Sequence, residues 1–526
     1  MTWSSAFQEK LREGIFEPII VLHVMEWPST PGTEFYAASA PGYGFPEIIG
    51  PGLQITGSSV TPVSWRYTHG SCSVEICTDQ ISLVSQSAMR GALCEILIGF
   101  TGWDIGDFEP VFAGRVQNIR GVSPNYVLDL WDCSSILNSR LNTGSYASFL
   151  DGNNNVFPNV SSSNKTTLTT QYETSHNELD VTSAAALEMP TSSSTYPGVV
   201  YVDNGTNDPF FLTYTGKSGN TLTGVTTSDI LGTTRAQSTT ADTVVYNAAY
   251  LAGSPAEIFI RLLVSGSGAG SSYDVYPETW GWGLPQSFID VGDAAGVYLS
   301  MVAAAGAGTY ALTYAQKDAV ANSWEWLQGW FGTLGLVPVQ KHGRLTLRPV
   351  QDPNDPLVSS GVVIDDYDIA EIQEWGAYHP DAPAEYLQVK VTATGATALV
   401  TPLTDPETSP VAGRLSFNNT DKIFVYGSQN VAEIMARVGL WGTNLPEYVT
   451  IRCSGMRLAT LAPLDVVQLS SELLTDGRIK STRISTAMGM TSTTNGYDHQ
   501  PCFVLKVSPD YYLGEVTLTL AAIDPL

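Results

Sequence analysis

The chain has 526 residues, of which 43% are hydrophobic, 48 are Gly and 30 are Pro, so disorder and a collagen-like repeat are excluded. Domains of about 150 residues would make three or four of them, each with its own core. Asp and Glu number 51 against 25 Lys and Arg, which gives a formal net charge of −26. Such a surface repels nucleic-acid phosphates and anionic membranes.

The first part of the chain predicts a short helix and then a β domain over residues 1–150. The helix is predicted in SSAFQEKLREG, with Ser4 or Ser5 as N-cap, and it runs into the apolar strand IFEPIIVLHVMEW. The runs SVEICT, ALCEILIGF, PVFAGRV and YVLDLWD are typical of an antiparallel barrel or sandwich. The first residues show no apolar stretch behind a basic head, so we expect no signal peptide and synthesis in a host cytoplasm.

Residues 151–254 differ in composition and predict an inserted small β module. Of these 104 residues, 32 are Ser or Thr. The run YPGVVYVDNGTNDPFFLTYTGKSGNTLTGVT predicts three strands, with turns at Asn204-Gly205 and at Ser218 to Asn220, because these residues tolerate positive φ. The half before Thr191 is more polar, and we expect it to run over a surface.

Residues 255–350 predict a small α+β unit. A helix is predicted from Pro255, where the proline takes the first helical position. A second helix is predicted from about Ser323, and it leads into the hairpin GLVPVQKHGRLTLRPV with its turn at His342-Gly343.

Residues 351–526 predict a second β domain, which the Pro- and Asp-rich QDPNDP separates from the preceding unit. The predicted strands are EYLQVKVTAT, DKIFVYG, YVTIRCSG, LDVVQLSS, CFVLKVSPDYY and EVTLTLAAI, and a helix is predicted in SQNVAEIMARVGLWG. The predicted fold class is therefore mainly β and multidomain, with β-barrel or sandwich domains at both ends, a small α+β unit and an inserted small β module.

The motifs of common catalytic sites do not occur in the sequence, and we expect no enzyme activity. There is no GxSxG nucleophile elbow and no HExxH zinc helix. No two cysteines have CxxC spacing, which favours buried free thiols over disulfides or a metal site. The cysteines are Cys72, Cys77, Cys94, Cys133, Cys453 and Cys502. We therefore predict no catalytic residues, no cofactor and no metal.

Two segments come close to known binding loops. The GKS at Gly216 resembles part of a phosphate loop, but Phe211 stands where the first glycine is required, so we predict a hairpin turn. The segment from Asp151 resembles the start of a calcium loop, but Val156 and Ser162 stand at the required Gly and Glu positions. We predict neither ligand.

Two groups of titratable residues are candidate sites. The carboxylates of Asp365, Asp366, Asp368 and Glu371 could hold a hard cation or act as acid and base, but we favour a solvated strand-to-helix turn. His23 lies in an apolar strand, and this position predicts that it is a core histidine. The other histidines are flanked by turn or loop residues and form no pair with a carboxylate by spacing. They are His69, His176, His342, His379 and His499.

Five tryptophans could form a sugar-binding platform. They are Trp280, Trp282, Trp324, Trp326 and Trp330. Because Trp326 and Trp330 are four residues apart and would share one helix face, we favour packing in a core. The best membrane candidate, GVYLSMVAAAGAGTYALTYA, contains too little Leu and Val for a spanning helix, so we predict a packed segment.

Four segments, in this order, resemble the tail hub, or tail-tip protein, of long-tailed, siphovirus-like bacteriophages. In FEPVFAGRVQNIRGVSPNYVLDLWDCSSILNSRL a Gly-Arg-Val strand and a Leu-x-Leu-x-Asp strand are similar to a hairpin of the first hub domain. The insert's YPGVVYVDNGTNDPFFLTYTG looks like a small β module of tail and baseplate proteins. The others are SPAEIFIRLLVSG with WEWLQGWFGTLGLVPVQKHGRLTLRPV, and LAPLDVVQLSS with YDHQPCFVLKVSPDYYLGEVTLTLA.

The resemblance implies a structural virion protein at the tail tip. Its homotrimer would contribute two similar β-barrel domains per subunit to a pseudo-sixfold ring, which joins the sixfold tail tube to the threefold tip. The ring would bind the distal tail protein above, the tape-measure protein inside and tail fibre or receptor-binding proteins below. DNA would pass through an acidic lumen without specific binding, and no stable membrane insertion is implied.

Two other functions stay open at this point. The chain could be a carbohydrate-binding surface protein or a glycosidase-like host-recognition protein, since it is acidic and contains 12 Trp and 24 Tyr. A leader peptide and a carboxylate pair in an aromatic cleft would support that reading. Alternatively, the Ser/Thr-rich insert alone could bind host glycans while the rest serves as scaffold.

Overall fold

The chain is a mainly β multidomain protein, as the sequence predicts. The structure is a computed structural model, and the residues it describes are 3–13, 17–25, 34–40, 53–61, 66–77, 89–138, 164–173, 175–187, 197–203, 210–226, 239–253, 255–264, 281–282, 284–291, 312–316, 323–333, 336–350, 359–376, 386–393, 396–399, 414–418, 423–425, 447–471 and 497–522.

Helix α1 and nine strands come from the first part of the chain. Helix α1 (Ser5–Arg12) begins after Ser4, whose hydroxyl accepts a hydrogen bond from Phe7 N, and it buries Phe7 and Leu11 on one face. The strands are β1 (Pro18–Val24), β2 (Phe35–Ala38), β3 (Gln54–Thr56), β4 (Ser59–Thr61), β5 (Arg66–Thr68), β6 (Ser71–Cys77), β7 (Leu93–Phe100), β8 (Glu109–Val122) and β9 (Asn125–Asp132).

Seven of these strands form the N-terminal sheet, in the order β2-β1-β7-β8-β9-β6-β3. Every neighbouring pair is antiparallel. Burial alternates along β6 and β9, because side chains of successive strand residues point to opposite faces and one face lies on the core. The β4–β5 hairpin leaves this sheet, and β4 pairs with a strand of the C-terminal sheet described below.

The insert is a β module with its own hydrophobic core. Its strands are β10 (Lys165–Thr167), β11 (Glu178–Asp180), β12 (Gly198–Asp203), β13 (Phe210–Tyr214), β14 (Gly216–Ser218), β15 (Thr221–Thr223) and β16 (Val244–Gly253). The prediction that the half before Thr191 runs over a surface was wrong for residues 164–187. Their sparse apolar residues, such as Leu168, Tyr172 and Leu179, turn into this core. Gly216–Ser218 forms a short strand before the turn at Gly219, not the turn itself.

The helical unit follows directly. It contains α2 (Pro255–Val264), β17 (Leu312–Gln316), α3 (Ser323–Thr333), β18 (Leu336–Lys341) and β19 (Arg344–Pro349). Both predicted helices and the predicted hairpin are confirmed. The turn of the hairpin holds His342 at φ 50° and Gly343 at φ 72°, the backbone of a tight two-residue connection. In the described ranges no helix is long and apolar enough to cross a membrane.

The last part of the chain provides ten strands, β20 (Ser359–Ile364), β21 (Ile369–Gly376), β22 (Tyr386–Ala393), β23 (Ala396–Leu399), β24 (Arg414–Asn418), β25 (Ile423–Val425), β26 (Glu447–Ser454), β27 (Val466–Ser471), β28 (Tyr497–Asp510) and β29 (Glu515–Ala522). The C-terminal sheet has the order β20-β27-β28-β29-β26-β21. Strands β22, β23 and β24 form a separate sheet, and β25 pairs with β17. The helix predicted in SQNVAEIMARVGLWG and the QDPNDP boundary lie outside the described residues.

The two end sheets contain the same five-stranded unit. The N-terminal sheet contains β3-β6-β9-β8-β7 and the C-terminal sheet contains β21-β26-β29-β28-β27, with the same spatial order and the same order along the chain. All neighbours in both runs are antiparallel. The chain therefore carries an internal structural repeat.

The strands of the long hairpin match between the two units in length and pairing register. Strands β8 and β28 both have 14 residues, and their partners β9 and β29 both have eight. In both hairpins the pairing begins at the sixth residue of the long strand, Gly114 or Cys502. In both, a bulge leaves the ninth residue, Gln117 or Leu505, outside the register.

One hydrophobic cluster joins the two units. It includes Ile98 and Leu128 from the N-terminal sheet and Ile451, Val504 and Leu518 from the C-terminal sheet, all fully buried. The predicted division into residues 1–150, 151–254, 255–350 and 351–526 stays a prediction. The insert has a separate core, whereas the end sheets share theirs.

The six cysteines are all free, and five are buried. Burial raises the pKa of the Cys453 thiol to about 12, and the charge of Asp368 acts in the same direction. Burial likewise raises the pKa of Cys72, Cys133 and Cys502. Cys77 is half-buried. Because the thiolate is the reactive form, the five buried thiols should be inert in the folded chain.

We expect a disulfide reagent at about pH 8 to label Cys77 alone in the native protein and all six thiols in guanidinium. The number of thiols released is read from absorbance. The variant Cys77→Ser should give none in the native state. Fast native labelling of Cys453 or Cys502 would contradict the burial of β26 and β28.

Candidate functional site: the junction between the end sheets

The two end sheets meet backbone against backbone at Gly57. Gly57 N donates to Ser508 Oγ at 3.0 Å, and Ser59 pairs with Lys506. A Cβ atom on residue 57 would lie 1.5 Å from the Val507 carbonyl oxygen. Only glycine fits this approach. The region around this contact, with Asp132 and the turn of the β18–β19 hairpin, is named the junction below.

The β18–β19 hairpin lies between the two units. The His342 ring stacks on Trp3 with centroids 3.9 Å apart, and its Nε2–H donates to Thr460 O at 2.8 Å. Gln340 Nε2 donates to Ala113 O at 2.9 Å. The hairpin thus contacts strand β8 of the N-terminal sheet and the segment before β27 of the C-terminal sheet.

Asp132 fixes the base of the β8–β9 hairpin. This carboxylate is 1% exposed and accepts from Gly70 N at 2.6 Å, Tyr67 Oη at 2.9 Å and Ser134 N at 3.1 Å. It therefore ends β9 and caps the short helix Cys133–Asn138. Burial raises the pKa of Tyr67 well above its usual value, and the charge of Asp132 adds to this. The Tyr67 oxygen also accepts from Gln340 N at 3.2 Å, which ties the β18–β19 hairpin to the same carboxylate.

The structure gives a physical reason for the Gly-Arg-Val and Leu-x-Leu-x-Asp pattern. Gly114 pairs with Asp132 across the hairpin. A Cβ on Gly114 would lie 1.8 Å from the Trp131 carbonyl oxygen. Gly114 and Asp132, the first and last residues of the pattern, thus form one cross-strand pair. Gly114 allows the two backbones to approach closely, and Asp132 accepts the buried hydrogen bonds.

His69, Ser134 and Asp132 come together although spacing does not predict it. His69 Nδ1 contacts Ser134 Oγ, which in turn donates to Asp132 Oδ1, and Nδ1 lies 3.6 Å from that oxygen. A Ser-His-Asp triad would place the carboxylate on the ring nitrogen far from the serine. Here both groups contact the same nitrogen and Ser134 is fully buried, so the cluster serves packing. His69 and Ser134 are 65 positions apart in the sequence. The only local signal for the cluster is the Asp-Cys-Ser sequence at 132–134, which is typical of a helix N-cap.

The cavity at the junction is small. It measures about 70 Å³ and is lined by Trp3, Gly57, Asp132, His342 and Tyr511 among others. Sites for sugars or nucleotides are about 300–1,000 Å³. The junction therefore has room for a few water molecules and not for such a ligand.

Asp365, Asp366 and Asp368 of the predicted acidic cluster lie in a turn between strands β20 and β21, and Glu371 lies in β21 itself, so the prediction of a strand-to-helix turn was wrong. The apolar residues Ile369, Ile372 and Trp375 are three apart, as in a helix, but β21 contains two register shifts that bring all three to the core. Asp368 is mostly buried and pairs with Arg457.

The remaining carboxylates of the cluster also have structural partners. Asp365 Oδ1 accepts from Tyr367 N at 2.9 Å, Asp366 accepts from Ser471 Oγ, and Glu371 lies 3.0 Å from Arg452. Across the described segments, no group of three or more His, Cys, Asp or Glu side chains is placed to hold a metal ion.

The histidines that the structure describes do not converge. His23 is a largely buried strand residue, stacked on Tyr36 and 3.1 Å from Glu95, as predicted for a core histidine. His176 and His499 are exposed, and His379 lies outside the described residues.

The tryptophans whose positions are described favour packing over a sugar platform. Trp282 is 1% exposed and donates to Leu137 O, and Trp324 is buried against Tyr67 and His69. Trp280 and the side chain of Trp330 lie outside the described part. The large aromatic residues described in the insert are also buried or half-buried. The calcium-like segment from Asp151 lies outside the described residues.

No protein-family model matches the chain, and no curated protein matches its sequence. Among solved structures the chain is similar to the 43 kDa tail protein of prophage MuSo2 from Shewanella oneidensis, at 10% identity and a TM-score of 0.34, over 96% of this chain and 97% of that one. It is also similar to a chain in the virion of a native gene transfer agent particle, at 10% identity and a TM-score of 0.18, over 46% and 83%. Both TM-scores are too low to identify the fold or function of this chain.

We expect Gly57→Ala to destabilise the protein by about 3 kcal/mol, because the new methyl group would overlap the Val507 carbonyl and force the end sheets apart. Urea unfolding measures the change. Gly106→Ala is the matched control, since no atom lies within 4 Å of its Cβ position, and it should stay within about 0.5 kcal/mol. Equal stability of the two variants would contradict the close contact.

Asp132→Ala should cost about 3 kcal/mol or more, because it leaves buried N–H and O–H donors without an acceptor. The control is Asp129→Ala in the same strand, which removes an exposed ion pair with Arg120 and should change the free energy of unfolding by about 1 kcal/mol or less. Thermal and urea unfolding of both variants report the difference. A loss for Asp132→Ala no larger than for Asp129→Ala would refute the capping role.

Proposed function

We propose that this chain is a structural virion protein, the tail-tip hub of a long-tailed bacteriophage. The observation that carries the proposal is the internal repeat. The Gly-Arg-Val hairpin that resembles a hub hairpin recurs in the C-terminal sheet with the same lengths, register and bulge position. The chain thus has two similar β units, which is what the sequence resemblance implies for a hub.

A repeat of this kind suits a change of symmetry. Three copies of a chain with two similar units present six similar positions, so a threefold assembly can meet a sixfold tube. We propose that the homotrimer forms such a ring, with the distal tail protein above, the tape-measure protein inside and tail fibre or receptor-binding proteins below. The shared core and the β18–β19 hairpin would hold the two units of each subunit in a fixed relation.

The charge of the chain fits a conduit for DNA. With a formal net charge of −26 per subunit, an acidic lumen would repel the phosphates of the genome during passage. The proposal assigns no catalytic step to the chain, because the Ser-His-Asp cluster noted in the described part lacks triad geometry and its Ser134 and Asp132 are buried.

Light scattering should give a mass of about 170 kDa, three times that of the chain, and negative-stain images should show a ring with a central hole. Because acidic subunits repel one another, association should strengthen as salt rises from about 0.02 to 0.2 M. A mass near that of one chain, 56.5 kDa, at every concentration and salt level would speak against a self-assembling trimer.

A further inference from the structure

Two turns at one end of the C-terminal sheet expose large apolar side chains. Tyr367 in the β20–β21 turn is 96% exposed, and Tyr512 and Leu513 in the β28–β29 turn are 57% and 64% exposed. Burying these side chains in a partner would be favourable, and exposed apolar side chains grouped on neighbouring turns are a feature of binding surfaces.

The two turns form one surface. Ser454 N donates to Asp368 O at 2.8 Å, and the next residue, Gly455, donates through its N–H to Gly514 O at 2.9 Å. Adjacent Cα atoms are about 3.8 Å apart, so the turns flank the same point of the chain. Tyr367, Tyr512 and Leu513 are named the end patch.

Hydrogen bonds hold both turns in shape. Tyr512 N and Leu513 N donate to Asp510 Oδ1 at 3.0 and 2.9 Å, and Gly514 N donates to Asp510 O at 2.9 Å. In the other turn Tyr367 N donates to Asp365 Oδ1 at 2.9 Å. A preorganised patch loses less conformational entropy on binding.

The rim of the end patch is acidic. Its arginines, Arg452 and Arg457, already pair with carboxylates of the same rim. The rim carboxylates are Asp365, Asp366, Asp368, Glu371, Asp510 and Glu515. Among the described residues around the apolar side chains, six carboxylates against two arginines leave a negative balance.

We propose that the end patch docks a different protein that offers an apolar socket ringed by Lys or Arg. The same patch of a second copy would bring an equally acidic rim, which disfavours a self-contact through this surface. An acidic rim likewise disfavours an anionic membrane. The inference rests on the proposed function in one respect: the partner is sought among the other proteins of the particle.

The test places the photo-reactive residue p-benzoylphenylalanine at position 512 of the full chain during particle production, followed by irradiation. We expect one adduct with a different protein, through a peptide that contains or adjoins Lys and Arg. The variant with Tyr367→Ser, Tyr512→Ser and Leu513→Ser should recover at least tenfold less of that partner. Its thermal midpoint should be unchanged, because these side chains are exposed. The control is Val122→Ser, 79% exposed at the equivalent hairpin tip of the other unit, and it should retain the partner.

An adduct with a second copy, an adduct with lipid, or no adduct from position 512 would overturn the docking surface. These outcomes are separable from failure of the hub proposal. A ring-shaped trimer present in particles without an adduct refutes only the end patch. An adduct with a basic partner, formed by a chain that neither makes a ring nor enters particles, refutes only the hub.

Discussion

The carbonyl oxygen of Val507 occupies the place where a side chain on residue 57 would begin, and the rest of the architecture follows from that contact. It lets β4 reach the bulged part of β28, so that a strand from the start of the chain pairs with a sheet from its end. The hydrophobic faces of both sheets can then close into one core. The β18–β19 hairpin adds polar and stacking contacts around the same place.

Alternating burial made the end sheets predictable at the level of strands, because β6, β7, β9, β27 and β29 each keep one face on the core. The joining of the sheets was not predictable. Gly57 and Ser508 are 451 positions apart, and nothing local in either segment marks the other as its partner. The His69 cluster escaped prediction for the same reason, since its members meet only after β6 and β9 have paired.

Strand β21 shows why a pattern can indicate the wrong element. Its apolar residues recur every third position, which is the spacing of a helix face, and the bulges that reconcile this spacing with a sheet are not visible in the sequence. The repeat of the two long hairpins was hidden in a comparable way. Their common features are strand length, register and bulge position, and these depend on backbone pairing more than on residue identity.

Strand β16 has a mechanical consequence. Its first half, Val244 to Ala248, pairs with β12 in the insert, and its second half pairs with β17 in the helical unit. Helix α2 begins only two residues after the strand ends. The insert and the helical unit therefore share one continuous strand. A displacement of the insert would act on the helical unit through the backbone of β16 and its hydrogen bonds to β17.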